Sequence, residues 1–413
     1  MTSISQTEEP PTTASVVCAG ALTLAVAMGI GRFAFTPLLP LMMRDGLIDA
    51  TVGAELAAAN YLGYLAGALS AARLAGQALR LVWASLLAIA LLTAAAGLAS
   101  GELAWSLLRF GAGLASAWAM VGISSWSLTE LARRGQGALG ALVFGGVGGG
   151  IILAGMLAWV SAGAGARTLW LQMAAAALLL TLGVVWLTRG LARRAAPARA
   201  SDPATAAASA GLPAGSWPLV ICYGCAGLGY ILPATFLPAM ARSLIDDPQR
   251  FGLAWPLFGL AAWTSAMVSA ARGRSRRRSR RRSPLRTWAL CQLAIGLGAA
   301  MPLLSRSGAA IALAALLVGS TFVLVTVIGL EQARALAPDN PAPLLGRMTA
   351  SFALGQIAGP LLVRALSGLQ LGAWGPLELG SASAATLMLA TAGWLWRLGQ
   401  APAALSAAPI PRG

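Results

Sequence analysis

Twelve long apolar segments follow one another along this chain of 413 residues. A membrane-spanning helix needs about 20 mostly apolar residues, and each segment is long enough to cross a bilayer with some tilt. They are rich in Ala and Leu and lack the alternating pattern of outer-membrane strands, which favours helices. The segments are Val16–Met43, Gly53–Gly76, Leu81–Ala99, Leu103–Leu128, Gly137–Val160, Thr168–Leu187, Trp217–Ala241, Phe251–Ala271, Thr287–Ser305, Gly308–Glu331, Leu344–Leu366 and Gly380–Leu398.

The composition agrees with this pattern. Charged residues make up 10% of the chain, against about 25% in soluble proteins. The sequence therefore predicts an all-α integral membrane protein with twelve transmembrane helices rather than a water-soluble enzyme. The longest polar interruption separates the sixth segment from the seventh. We expect a cytoplasmic N-terminal tail at 1–15, six-helix bundles at 16–188 and 217–398, a cytoplasmic linker at 189–216 and a cytoplasmic C-terminal tail at 399–413.

The arginines predict the orientation in the membrane. The chain contains neither His nor Lys, so all 29 basic residues are Arg. If both termini are cytoplasmic, 21 arginines fall on the inner side and 6 on the outer side, as the positive-inside rule requires. Nine of the inner arginines lie at 272–286. Between two membrane helices this run is a topology signal that can contact anionic headgroups, and we expect no nucleic-acid partner.

An internal repeat relates the two halves. Gly29–Arg44 aligns without gaps on Gly227–Arg242, with six of sixteen positions identical. Glu130-Leu-Ala-Arg133 recurs as Glu331-Gln-Ala-Arg334, again about 200 residues later. Because six segments intervene, the two copies share one orientation. Parallel repeats of this kind occur in secondary transporters, which bind substrate between the halves near the membrane midplane.

Three segments resemble a known family. They are Gly29-Ile-Gly-Arg-Phe-Ala-Phe-Thr-Pro-Leu-Leu-Pro40, Tyr230-Ile-Leu-Pro-Ala-Thr-Phe-Leu-Pro238 and Phe352-Ala-Leu-Gly-Gln-Ile-Ala-Gly-Pro360. They resemble the bacterial YbfB/YjiJ family of the major facilitator superfamily. The resemblance implies two six-helix bundles in the bacterial inner membrane, a central cavity and alternating access. The loop between the second and third segments departs from the superfamily pattern, because Gly67-Ala-Leu-Ser-Ala-Ala-Arg73 lacks the usual Asp.

Two arginines lie within the apolar segments and are the main functional candidates. Arg32 and Arg109 each face a cost of about 2.5–3.5 kcal/mol at a helix centre, so we expect them to face the protein interior. No acidic residue lies at a similar depth, so a carboxylate or phosphate group is the natural partner. Alternatively, each arginine caps carbonyls freed by Pro37 and Pro40 or extends to the membrane surface. The predicted substrate-binding residues are Arg32, Asn60, Tyr61, Tyr64, Arg109, Tyr230, Trp255 and Gln356.

A second group of residues is expected to act in gating. Glu130 lies beside Arg133 and Arg134, and Glu331 lies beside Arg334. The resemblance implies that such glutamates pair with arginines of neighbouring loops and latch the inner gate. Exposed ion pairs of about 0–1 kcal/mol are the alternative. Prolines break helices where bending can gate the cavity, and Pro40 and Pro238 occupy equivalent positions of the repeat. Small residues four apart, at Gly145/Gly149, Gly146/Gly150 and Gly355/Gly359, let helix backbones approach.

The sequence thus predicts a secondary active or facilitative transporter for a small anionic organic solute. A proton or counter-ion is a possible co-substrate, and exchange or facilitated flux fits equally well. The alternatives are an efflux carrier for apolar or amphipathic compounds and a membrane sensor that does not transport. We expect no enzymatic activity, metal or cofactor, because the chain lacks histidine and lysine and has no acidic motif near a membrane face. We expect a monomer.

Overall fold

The computed structural model describes residues 12–74, 78–161, 163–189, 215–244, 252–275, 283–338 and 341–400. These ranges contain twelve long helices and no β-strand, which confirms the predicted all-α class. The helices are α1 (Thr13–Arg44), α2 (Ala50–Leu74), α3 (Ala78–Leu98), α4 (Glu102–Arg133), α5 (Gly140–Val160), α6 (Ala166–Thr188), α7 (Ser216–Leu244), α8 (Ala254–Ser275), α9 (Pro284–Leu304), α10 (Gly308–Leu336), α11 (Ala342–Ala365) and α12 (Pro376–Leu398).

Eight of the described helices are long and apolar enough to cross a membrane by length and composition alone: α1, α3, α4, α5, α6, α7, α9 and α10. Of the other four, α2, α8 and α11 pack against helices of the opposite half. A helix that faces protein can carry more polar residues than one that faces lipid. Most of the predicted linker (190–214), residues 276–282 of the arginine-rich run, residues 1–11 and residues 401–413 lie outside the described ranges.

Helix α1 is not α-helical throughout. Residues Thr13–Leu24 and Phe35–Arg44 are α-helical, whereas Ala25–Phe33 is wound as a π-helix. Pro37 has no N–H to donate to the carbonyls one turn before it, and π-helical turns are often found at functional sites. All residues of this π-helical segment are buried. The irregular part of α1 is therefore held inside the protein, away from lipid.

The repeated glycines bring each half together in the same way. A Cβ on Gly29 of α1 would collide with the backbone of Gly150 on α5. Its repeat mate Gly227 on α7 lies equally close to the backbone of Phe352 on α11. Both contacts need a residue without a side chain. The repeat is thus a packing signal, which joins α1 to α5 and α7 to α11 in the same way.

Among the described residues the halves meet along three pairs of helices: α2 with α11, α5 with α8, and the end of α1 with α7. The α5–α8 contact is a backbone contact, because Gly148 lies against Gly259 and Trp263. Of the predicted glycine pairs, Gly146 and Gly150 face α1 instead, and Gly149 has no described atom within 4 Å of an added Cβ.

One end of the molecule is closed by bonds between the halves. We call the end at which α1 and α7 finish the closed end. There Thr36 Oγ1 donates to the carbonyl oxygen of Ala234 at 3.0 Å, and the Arg242 guanidinium donates to the carbonyl oxygen of Pro40. Glu55 on α2 forms a 2.8 Å ion pair with Arg364 on α11. At the opposite end the described residues of α4 and α10 make no extended contact.

Asp45 ties the end of α1 to the start of α6 at the closed end. Its carboxylate accepts hydrogen bonds from Arg44 Nε and from the Ala166 N–H, at 2.8 and 2.7 Å. Partial burial raises the pKa of Asp45, but these bonds and the charges of Arg44 and Arg242 outweigh burial and hold it below the ordinary value.

Candidate functional site

Arg32 lies at the midpoint of a polar chain that joins the two halves. Its side chain is 3% exposed, and its Nη2 donates to Gln356 Oε1 on α11 at 3.1 Å. Gln356 Nε2 in turn donates to the hydroxyl oxygen of Tyr230 on α7. The structure therefore brings together Arg32, Gln356 and Tyr230, three of the residues predicted to bind substrate.

Aromatic rings surround the Arg32 guanidinium. Its central carbon lies 4.1 Å from the ring centre of Tyr64, 5.0 Å from that of Tyr61 and 5.5 Å from that of Phe33. Cation–π contacts of this kind compensate part of a buried positive charge. No carboxylate lies within 4.0 Å of Arg32 among the described residues, and its Nε has no hydrogen-bond partner there. Within the part of the chain that the structure describes, Arg32 is therefore a buried cation without an anionic partner.

Arg109 and Asn60 hold the backbone that carries Arg32. Arg109 donates to the carbonyl oxygens of Gly31 and Arg32 at 3.3 and 3.1 Å. Asn60 Nδ2 donates to the carbonyl oxygens of Gly31 and Arg109 at 3.2 and 2.8 Å. The carbonyls of Gly31 and Arg32 lie at the end of the π-helical segment, where the regular bonding pattern changes. The bonds agree with the alternative that Arg109 caps backbone carbonyls, and a direct contact of Arg109 or Asn60 with substrate stays a prediction.

The two predicted tyrosines of α2 point their hydroxyls in different directions. The Tyr61 hydroxyl shares a 2.9 Å hydrogen bond with Thr235 Oγ1 on α7, so it joins the halves. The Tyr64 hydroxyl donates to the Met120 sulfur on α4 at 2.8 Å, so it stays within its own half. Both rings nevertheless contact the same guanidinium.

Trp255 lies in a stack of aromatic rings that contacts Phe33. Its ring centre is 4.8 Å from that of Phe258 and 6.2 Å from that of Phe33. The side chain is 1% exposed, and its indole N–H has no acceptor in the part of the chain that the structure describes.

The predicted gating residues Glu130 and Glu331 lie near the ends of α4 and α10. Glu130 bonds to Arg134 at 2.7 Å and approaches Arg133 to 3.8 Å, both in its own turn of helix. Glu331 and Arg334 lie near the end of α10, and Arg334 is exposed. A latch between neighbouring loops stays a prediction.

The two predicted prolines lie near the closed end. The Pro40 carbonyl oxygen accepts the bond from Arg242 of the other half, and Pro238 occupies the equivalent position of α7.

The sequence reasoning missed several residues that join the halves. Thr36, Thr235 and the Glu55–Arg364 pair all bridge the two bundles. Two of them had a signal, since Thr36 and Thr235 fall within the aligned repeat. Nothing in the sequence indicated that Glu55 and Arg364 face each other.

Two parallel six-helix bundles with a buried polar site between them define the protein as a transporter of the major facilitator type. Residues 24–393 match the family described as "Uncharacterised MFS-type transporter YbfB", so the chain belongs to this family. A comparison with curated protein sequences gives no significant match.

Solved structures with the same fold are transporters. The chain is similar to the nucleoside transporter NupG, with 16% identity, a TM-score of 0.62 and coverage of 94% of this chain and 99% of that one. It is similar to a D-xylose–proton symporter, with 14% identity, a TM-score of 0.67 and coverage of 93% and 97%. It is also similar to the peptide transporter POT, with 15% identity, a TM-score of 0.69 and coverage of 94% and 98%. At these identities the similarity shows the fold alone.

Proposed function

We propose that this transporter moves a small anionic organic solute across the bacterial inner membrane by alternating access. The observation that carries the proposal is that the buried guanidinium of Arg32 has no carboxylate within 4.0 Å among the described residues. A cation taken out of water must be paired or hydrogen-bonded to be tolerated. Arg32 has one amide oxygen, the Tyr64 hydroxyl and three aromatic rings around it, an unpaired Nε and no described carboxylate within 4.0 Å. A solute carboxylate would supply the missing charge and could accept two parallel N–H bonds.

The position of Arg32 suggests how binding and movement are linked. Its bond to Gln356 connects α1 of one half with α11 of the other. A solute carboxylate that binds the guanidinium competes with the Gln356 oxygen for the same N–H groups. Binding would therefore weaken one connection between the halves and let the bundles rock. A ligand shifts a conformational equilibrium only through such a difference in contacts.

The arginine count orients this movement. If both termini are cytoplasmic, the closed end faces outward. The arginine-rich run at 272–286 would then lie at the inner membrane surface, beside anionic headgroups. Proton coupling, exchange and facilitated flux all fit this arrangement, and we retain the expectation of a monomer.

Binding of carboxylates to the purified protein tests the proposal. Isothermal titration with a panel of carboxylates and their neutral amides should give binding of carboxylates only. Arg32→Gln should weaken binding about 10- to 150-fold, because a hydrogen bond to a charged group contributes about 1.5–3 kcal/mol. Arg32→Lys should retain part of the affinity, since it keeps the charge but loses the planar fork.

Arg286→Gln is the matched control. Arg286 is an exposed arginine at the start of α9, with its guanidinium 5.5 Å from the Trp396 ring centre. The Arg286→Gln substitution removes one positive charge without changing the site. The affinity of this variant for carboxylates should therefore equal that of the wild type. Equal binding of carboxylates by the wild type and Arg32→Gln would refute the role of Arg32.

Efflux of apolar or amphipathic compounds is the second candidate function. The stacked rings of Trp255, Phe258 and Phe322 favour it. Neutral amphipathic compounds would then bind as well as carboxylates, and the Arg32→Gln substitution would leave their affinity unchanged.

A further inference from the structure

We propose that the anionic solute is an aromatic carboxylate; this extension rests on the proposed function and names the class of its substrate. The observation is a closed circuit of side-chain contacts that includes the buried cation. The circuit consists of Arg32, Phe33, Phe322, Tyr230 and Gln356, and each member contacts the next.

The distances define the circuit. The Arg32 guanidinium carbon lies 5.5 Å from the Phe33 ring centre, and the Phe33 and Phe322 ring centres are 6.5 Å apart. Phe322 and Tyr230 stack at 5.4 Å with an interplanar angle of 7°. The Tyr230 hydroxyl accepts from Gln356, and Gln356 accepts from Arg32. The charged guanidinium of Arg32 and a wall of aromatic rings, formed by Phe33, Phe322 and Tyr230, therefore belong to one site that is built from both halves.

Two side-chain nitrogens lack hydrogen-bond partners, one on Arg32 of the circuit and one on the adjacent Trp255, and both are donors. Arg32 Nε and Trp255 Nε1 have no acceptor among the described residues, and Trp255 stands against Phe33 of the circuit. Buried donors are normally paired, so an unpaired one needs an explanation. A carboxylate consists of acceptors only. The two donors thus match the oxygens of a carboxylate.

The wall favours a flat ring over an aliphatic body. Phe322 lies parallel to Tyr230 and is stacked on Phe258 at 5.6 Å, while Trp255 stacks on Phe258 at 4.8 Å. Aromatic pairs gain energy beyond their buried area when they are offset-stacked or edge-to-face. An aromatic ring whose carboxylate is held at Arg32 can extend this stack. A saturated ring of the same size gains only the burial.

Two matched ligand pairs test the proposal on the purified full-length protein. We would measure the Kd values of benzoate and cyclohexanecarboxylate, and of phenylacetate and cyclohexylacetate, by isothermal titration. Within each pair the charge is the same, and the saturated member is at least as apolar. The proposal predicts that the aromatic member binds about three- to tenfold more tightly, as expected for one additional aromatic contact.

Variants identify the origin of this preference. Phe322→Leu removes a central ring of the wall and should bring the ratio of the two Kd values close to 1. Trp255→Phe keeps a ring but removes the unpaired N–H, so it should weaken both members of a pair by a similar factor. Trp394→Phe, an exposed position on α12, is the control for the loss of an aromatic donor and should leave the ratio and both Kd values unchanged.

The outcomes separate the two claims. Equal affinities within both pairs, or a preference that survives Phe322→Leu, would overturn the aromatic class and leave the anion transporter standing. If benzamide binds as tightly as benzoate, or no carboxylate binds, the proposed function fails and this inference falls with it. Thermal unfolding of each variant identifies any loss of binding that is only a loss of fold.

Discussion

Substitution of Gly148 by alanine should disturb the movement between the halves, because this glycine lies where α5 and α8 are in backbone contact. A Cβ at position 148 would lie 2.5 Å from the backbone nitrogen of Trp263 and 2.8 Å from the carbonyl oxygen of Gly259. Ordinary contacts of a Cβ begin near 3.4 Å. Both neighbours are backbone atoms, so no side chain can turn away, and the helices must separate by the better part of an ångström.

The expected energy follows from two opposing effects. Adding a methyl group to a packed interface costs about 1–3 kcal/mol. Replacing Gly by Ala inside a helix stabilises it by about 0.5–1 kcal/mol. The net effect is a loss of about 0–2.5 kcal/mol in the conformation described here. Its midpoint of about 1.25 kcal/mol shifts a two-state population about eightfold. Gly148→Ala should therefore lower both the thermal stability and the rate of solute exchange.

Gly149→Ala is the matched control, because it lies on the same helix turn and has the same gain in helix propensity. No described atom lies within 4 Å of a Cβ at position 149. Thermal unfolding of the purified proteins, measured side by side, should place Gly149→Ala at or above the wild type and Gly148→Ala below it. If the two variants unfold together and exchange solute equally fast, the assignment of the α5–α8 interface is refuted.

Two further predictions concern Asp45 at the closed end and Arg109 beside Arg32. Because the pKa of folded Asp45 is depressed, its stabilising bonds are fully present above the ordinary Asp pKa of about 3.9 and are lost as the pH falls through the lower folded value. Asp45→Asn should thus lower the unfolding free energy by about 0.2–1 kcal/mol at neutral pH and should not change it in strong acid. A difference in unfolding free energy that persists in strong acid would contradict this prediction. The Arg109→Lys variant cannot donate from two planar N–H groups to the carbonyl oxygens of Gly31 and Arg32. The substitution should therefore lower the unfolding free energy by about 1–3 kcal/mol. Unchanged stability with lost solute binding, in parallel unfolding and titration experiments, would make Arg109 a direct ligand instead.

The sequence predicted the helices and the duplication because both depend on patterns along the chain. Lengths of apolar sequence define spans, and the shared Gly29 and Gly227 lie at the same kind of close helix contact in each half. The buried position of Arg32 followed from its depth in a span, since a charge there is tolerated only inside the protein.

The parts that could not be predicted depend on the rotation of each helix and on local backbone geometry. Gly148 and Gly149 are indistinguishable in the sequence, yet only one faces α8. The π-helical turn of α1 changes which backbone carbonyls need donors, and Arg109 donates to two carbonyls at the end of this turn. The pairing of Glu55 with Arg364 joins residues of different bundles that no local pattern relates.

Counterflow in proteoliposomes tests the central claim, that the two halves carry an anion past Arg32, most directly. Vesicles loaded with unlabelled benzoate would receive a trace of labelled benzoate outside. The account predicts transient accumulation of label with the wild-type protein and with Arg286→Gln, and none with Arg32→Gln. Specific benzoate binding without any accumulation in wild-type vesicles would contradict the account and would instead indicate a membrane sensor built on a carrier fold.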